Sequence, residues 1–304
     1  MILVALAVVV STAFGVICER RTDAARVAAR WTLQVMLYAL LPFVSFVNIA
    51  HLRITLGAGV GIGVAWVLVS CMGLAAWSIG RFWLGLAAPA LGALICSVII
   101  VNTGYLGLPT AVAIIGPGAL SSAVAYDQLV SGPMLFIGGF GVGAAFGNRG
   151  GASRLARLKA FLTRNPPLVA VVAGLIVPVS LVPTSLLTVS HVVVAVLLLL
   201  GFFAVGVNLS AERREDHAPL LEAPNRQVLL AVALRLCVAP GLMACFSALA
   251  LRLPSAYLLQ AAMPTGINSL IVGHAYGLDQ RLIATIIVWS TAAALVAGLI
   301  VAAV

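Results

Sequence analysis

Charged residues are so sparse in this chain that the gaps between them dictate its fold class. Marking every Asp, Glu, Lys and Arg leaves uncharged stretches at 1–18, 31–52, 54–80, 82–126, 128–148, 165–211, 236–251, 253–278 and 282–304. One helix crosses a hydrocarbon core with about 20 apolar residues. Residues 82–126 and 165–211 are each too long for a single span, and each divides at Gly116-Pro117-Gly118 or at Pro178 and Pro183. Gln227–Leu249 is span-length and holds Arg235. The spacing predicts ten helices, near 2–17, 29–50, 55–77, 90–115, 119–146, 166–178, 186–208, 228–250, 256–276 and 282–303. Lipid-facing backbone must bond within its own segment, and the short alternating segments of a barrel are missing, so the fold class is an all-α membrane protein. Only 8% of residues are charged, against about 25% in soluble domains. That composition excludes a soluble enzyme, a disordered chain and a disulfide-stapled secreted module.

The formal charge of +9 would point to nucleic acid in a soluble protein. Here it follows the connections. Arg20, Arg21, Arg26 and Arg30 fall in the first, Arg81 in the third, and Arg149, Arg154, Arg157, Lys159 and Arg164 in the fifth. Arg213, Arg214 and Arg226 fall in the seventh and Arg281 in the ninth, whereas the even connections hold only Arg53 and Arg252. Bases accumulate on the cytoplasmic side, so the odd connections are expected there, beside anionic lipid, with both termini extracytoplasmic in a bacterial inner membrane. The first stretch has a signal peptide's length, but Arg20 and Arg21 follow it instead of preceding it, and it is read as a span. The basic linker 148–165 separates five spans (1–147) from five more (166–304). Five is odd, so a second half like the first must be inverted, a frequent plan among secondary transporters.

Two spans are interrupted. Asn102-Thr-Gly-Tyr-Leu-Gly-Leu-Pro109 lies in the fourth, and Met263-Pro-Thr-Gly-Ile-Asn268 in the ninth, at the corresponding place of the second half. Gly and Pro weaken a helix at these points. Paired interruptions of this kind mark a transporter's central site, where unwound backbone and half-helix N-termini favour an anion. Asn102, Thr103, Gly104, Pro109, Pro264, Thr265, Gly266 and Asn268 are therefore candidate substrate residues. Pro42 and Pro240 read as ordinary kinks.

Three stretches resemble the auxin efflux carrier family, which includes the PIN-type exporters. Asn102–Pro109 is similar to its Asn-x-Gly-aromatic-Leu-Gly-Leu-Pro signature, and Asn165-Pro-Pro-Leu to its Asn-Pro-Pro opening. Ala262–Thr291 is similar to its terminal Pro-x-x-x-Asn, Tyr-Gly-x-Asp and Ser-Thr pattern. The resemblance implies two inverted five-helix repeats whose fourth and ninth helices cross at their prolines. It also implies elevator-like transport of small organic anions, auxin and dicarboxylates among them, against a scaffold of helices one, two, six and seven. Asn102, Gly104, Pro109, Pro264 and Asn268 would form the crossover. Unlike PIN-type carriers, this sequence has no Asp or Glu in spans two or three and no long hydrophilic central loop.

Asp127 and Arg235 are the charges read as lying well inside spans, where a charge costs about 2.5–3.5 kcal/mol and usually serves a pathway or a partner. They are candidate ion-coupling residues, for a proton or sodium, or a salt bridge with each other. No cofactor or metal is expected. The five cysteines form no Cys-x-x-Cys pair, and His51, His191, His217 and His274 have no metal spacing. The single lysine, Lys159, lacks a phosphate loop, which excludes ATP-driven transport by this chain. The glycine series Gly57, Gly59, Gly61 and Gly63, and Gly139, Gly143 and Gly147, are spaced for close helix packing. Expected partners are a small organic anion and membrane lipid, without nucleic acid, and a homodimer is compatible with such a chain. The alternatives are a sodium-coupled bile-acid-type symporter and an intramembrane aspartyl protease, the latter needing a second carboxylate beside Asp127.

Overall fold

A computed structural model of the chain describes residues 1–22, 24–52, 56–148, 166–215, 222–251 and 253–303. Beyond Asn148 the basic linker, Asn165 with it, lies outside the described residues, as do Arg53, His217 and Arg252. The architecture is all-helical. In chain order the helices are α1 (Ile2–Arg21), α2 (Ala24–Ala50), α3 (Leu56–Phe82), α4 (Ala88–Ile99), α5 (Thr103–Ile114) and α6 (Pro117–Phe146). The second half has α7 (Pro166–Ile176), α8 (Ser185–Glu215), α9 (Arg226–Leu249), α10 (Ser255–Ala261), α11 (Asn268–Tyr276) and α12 (Gln280–Ala303). Among the described residues, 7 helices are long and apolar enough to cross a membrane. The expected fourth and ninth spans are each two half-helices, α4 with α5 and α10 with α11, and α7 is short.

Four helices carry a widened, π-helical turn directly before a proline. Leu41 N bonds to Met36 O, Leu108 N to Thr103 O, Gly132 N to Asp127 O and Ala239 N to Leu234 O. Each is an i to i−5 bond, followed one residue later by Pro42, Pro109, Pro133 or Pro240. Proline has no N–H and its ring presses on the carbonyl four residues back, so one extra residue in the preceding turn relieves the clash. The carbonyl released by Pro133 belongs to Leu129, and Trp66 Nε1 of α3 donates to it at 3.0 Å. Pro42 and Pro240 are thus sites of turn widening, which the reading as ordinary kinks did not foresee. Asp127 and Arg235 both lie within such turns.

Two sets of helices stand out by their packing, and two further apolar clusters join them, one with Met36, Val171, Leu197, Leu108 and Ala123, the other with Val8, Phe202, Val101, Met263 and Leu295. α1 lies along α8, and α2 lies along α7 and α8. α3, α4, α9, α12 and the latter part of α6 share a separate apolar core with residues such as Leu68, Leu94, Met134, Met243 and Ile286. Close approach in the first group depends on glycine. A Cβ on Gly15 would stand 2.2 Å from Phe203 O, one on Gly206 2.1 Å from Thr12 O, and one on Gly174 2.8 Å from Phe46 O. Of the glycines expected to pack, Gly61 faces Tyr257, Gly139 faces Ile100, and Gly143 and Gly147 face Tyr276, but Gly59 and Gly63 face open space. The helical spacing was right for one series and only partly right for the other, because a small residue has a packing role only where a helix lies against it.

α1 also runs past residue 17, which brings Glu19 into its last turn. Glu19 is 1% exposed, and accepts from Arg26 Nη2 at 2.9 Å and Ser210 Oγ at 2.7 Å. Arg214 Nη1 lies 3.7 Å away. This ties α1, α2 and α8 at one end, a buried carboxylate that the shorter expected span left outside. Gly206→Val should destabilise the protein by about 1–3 kcal/mol through forced separation of α1 and α8. Gly63→Val should leave thermal unfolding in detergent unchanged.

Candidate functional site at the crossing of two broken helices

α4 ends within the β-branched run Val98-Ile99-Ile100-Val101, residues that suit the extended pairing that follows. Ile100 is extended, with φ −93° and ψ 110°. α10 ends at Ala261, where Pro264 and Gly266 follow and cannot extend the helix. The two breaks meet. Val101 and Thr265 form an antiparallel bridge, in which Asn102 N donates to Pro264 O and Gly266 N to Ile100 O, both at 2.8 Å. Each broken helix therefore satisfies backbone groups that the other exposes, a condition for unwound chain at membrane depth. A Cβ on Gly266 would sit 2.9 Å from Val101 O, so this glycine allows the approach.

The crossing does not lie at both prolines. Pro264 is in it, but Pro109 is in the first turn of the regular part of α5, one helical stretch beyond the bridge. The first break falls at residues 100–102, at the leading edge of Asn102–Pro109, and most of that motif is helical. The second break matches Met263–Asn268 closely.

Side chains of the crossing segments and of α6 and α12 surround the crossing. Thr265 Oγ1 donates to Ser97 O at 2.7 Å, and Ser290 Oγ of α12 accepts from Thr265 N at 3.3 Å. Asn102 caps α5 by accepting from Leu106 N at 3.3 Å, while its Nδ2 is buried without a partner. Thr103 Oγ1 donates to Asp127 Oδ1 at 2.5 Å, and Gln128 Nε2 donates to Asp127 Oδ2 at 2.7 Å. Gly104 lies against that carboxylate, and a Cβ there would meet Asp127 Oδ1 at 3.4 Å, an ordinary contact distance. Asn268, partly exposed, opens α11, where Ser269 Oγ turns back onto Gly266 O at 2.6 Å.

Arg235 does not pair with Asp127. It is 1% exposed, and its Nη2 donates to Ala261 O at 2.9 Å and Met263 O at 3.0 Å, with Nη1 3.4 Å from Val98 O. The two charges thus occupy opposite poles of the crossing. Arg235 sits at the carbonyl-rich C-terminal ends of α4 and α10, and Asp127 at the amide-rich start of α5, each on the side the helix dipoles favour.

Gln260 was missed by sequence reasoning. It is 0% exposed and donates to Thr103 O at 3.3 Å and Ala123 O at 3.2 Å, tying α10 to α5 and α6. Its signal was available, as an uncharged polar residue one turn before Pro264 inside a span. Two cavities share His191. One, of about 390 Å³, is lined by Asn48, His51, Ser121, Ser122 and His191, and an apolar one of about 250 Å³ by Pro109, Val112, Val4 and Leu198. Asp279 is elsewhere, accepting from Leu282 N at 2.9 Å at the start of α12, so it forms no dyad with Asp127. No group of three or more His, Cys, Asp or Glu placed to hold a metal occurs among the described residues.

A family model described as "Membrane transport protein" matches residues 155–301. Over these residues, just under half of the chain, the sequence is similar to the auxin efflux carrier family. The match includes α10, α11 and α12, hence Pro264, Asn268 and Ser290, but not the Asn102–Pro109 stretch. No curated protein matches the chain. Auxin efflux carriers are membrane transporters, not an enzyme family, and with its long apolar helices the chain is an integral membrane protein.

Gly107 sets the spacing of α5 against α10, because a Cβ there would fall 2.0 Å from Gln260 Oε1. Gly107→Ala should therefore displace Gln260 and destabilise the protein by about 1–3 kcal/mol. Gly104→Ala should cost clearly less by the same thermal unfolding assay.

Proposed function

We propose that this protein is a secondary transporter of small organic anions, carboxylates above all, with its substrate held at the crossing of α4–α5 and α10–α11. The observation that carries this reading is the crossing itself. Two half-helices, α5 and α11, start there and present the positive ends of their dipoles. Asp127 is bonded at the start of α5, whereas no carboxylate is bonded to the first turn of α11 among the described residues. An anion is the natural occupant beside Asn268, with the unpartnered Asn102 Nδ2 as a further donor.

The same reading takes the chain as two inverted five-helix repeats, 1–147 and 166–304, joined by a cytoplasmic linker in a bacterial inner membrane. α1, α2, α7 and α8 form the static scaffold, and the remaining helices carry the crossing past it in an elevator-like motion. The backbone contact of α1 with α8 and the apolar core shared by α3, α4, α9 and α12 support that division. Asp127, bonded to Thr103 at the start of α5, couples the motion to a proton or cation gradient.

Purified protein screened by thermal shift against small carboxylates, with and without sodium, should show saturable stabilisation by at least one of them. Asn268→Ala should abolish that stabilisation and transport without lowering membrane expression. Normal binding and uptake by the variant would remove the substrate from the crossing. Asp127→Asn should flatten the dependence of uptake on pH or sodium gradients, and an unchanged dependence would exclude it from coupling.

A further inference from the structure

Arg235 is buried in the middle of α9 with no carboxylate partner among the described residues. An uncompensated charge in such a place is strongly unfavourable. What compensates it is main chain. Val98 O lies in the last turn of α4, Ala261 O is the last carbonyl of α10, and Met263 O is in the break that follows. Two helix C-termini, each worth about −0.5 elementary charge, together balance one guanidinium. Carbonyls from helix C-termini and unwound backbone are also the donor set with which broken-helix transporters hold an alkali cation.

We propose that the crossing contains a monovalent-cation site built from the carbonyls of Val98, Ala261 and Met263, and that Arg235 fills it permanently. The carbonyl pole of the crossing then needs no sodium, and any coupling ion must act elsewhere, at Asp127. The inference refines the transport reading but does not depend on it, because the site can be tested without a substrate.

The test compares wild type, Arg235→Gly, Arg235→Lys and Arg235→Gln by thermal unfolding in detergent, in guanidinium, sodium, potassium or choline chloride at constant ionic strength. Arg235→Gly should unfold several degrees below wild type. Low-millimolar guanidinium should raise its unfolding temperature saturably, sodium should do so more weakly, and choline not at all. Wild type should show no saturable response. Arg235→Lys, which keeps the charge, should retain most of the stability and lose the guanidinium response, while Arg235→Gln should be the less stable of the two. If Arg235→Gly shows no saturable cation response, the carbonyls do not form a site. If Arg235→Gly does not survive purification, Arg235→Gln as stable as Arg235→Lys would overturn the proposal equally. A failed carboxylate screen would leave these results standing, so the two readings fail separately.

Discussion

Backbone amides and carbonyls left open inside a hydrocarbon core cost several kcal/mol each, so a helix broken in mid-membrane requires a partner that closes its ends. Here the partner is a second broken helix. The bonds from Asn102 N to Pro264 O and from Gly266 N to Ile100 O join the breaks, and most polar groups of the interior are arranged around that junction. Arg235 meets its carbonyl ends and Asp127 one of its amide ends. Gln260 and Ser290 bond to the backbone of the two segments, and the Thr265 hydroxyl donates to the Ser97 carbonyl.

The rest of the fold keeps this junction in place. Prolines widen the helices that bear Asp127 and Arg235, and the released Leu129 carbonyl is answered by Trp66 from the neighbouring α3. A widened turn changes which way the following residues face, which is one reason such turns recur where side chains must be aimed. On the other side of the molecule, glycine contacts lock α1 to α8 and α2 to α7, and Glu19 ties three of those helices at one end. One group of helices is thus fastened to itself by backbone contact and the other by a large apolar core.

Much of this was legible in the sequence because lipid imposes a simple rule: uncharged stretches of span length are helices. The expected helix limits agree with the structure to within a few residues for most spans, and Met263–Asn268 marked its break closely. The first break was displaced because Gly and Pro drew the reading to Asn102–Pro109, whereas the helix stops earlier, where Ile100 is extended and Val101 pairs with Thr265. Glu19 was invisible as a buried group because the helix end was drawn at the charge itself. Arg235 was recognised as exceptional, but its carbonyl partners lie on α4 and beyond the end of α10, far away in sequence, and no spacing rule could have found them. Gly15 and Gly206, too, are informative only when paired across the fold.

The claim on which the account rests is that the crossing is where the transported anion binds. The most direct measurement is an experimental structure of the protein with the carboxylate that stabilises it most. The account predicts that the ligand's carboxyl group lies against the first turn of α11, within hydrogen-bond reach of Asn268 or Asn102. A carboxylate seated instead in the cavity between Asn48 and His191, with the crossing unengaged, would contradict it.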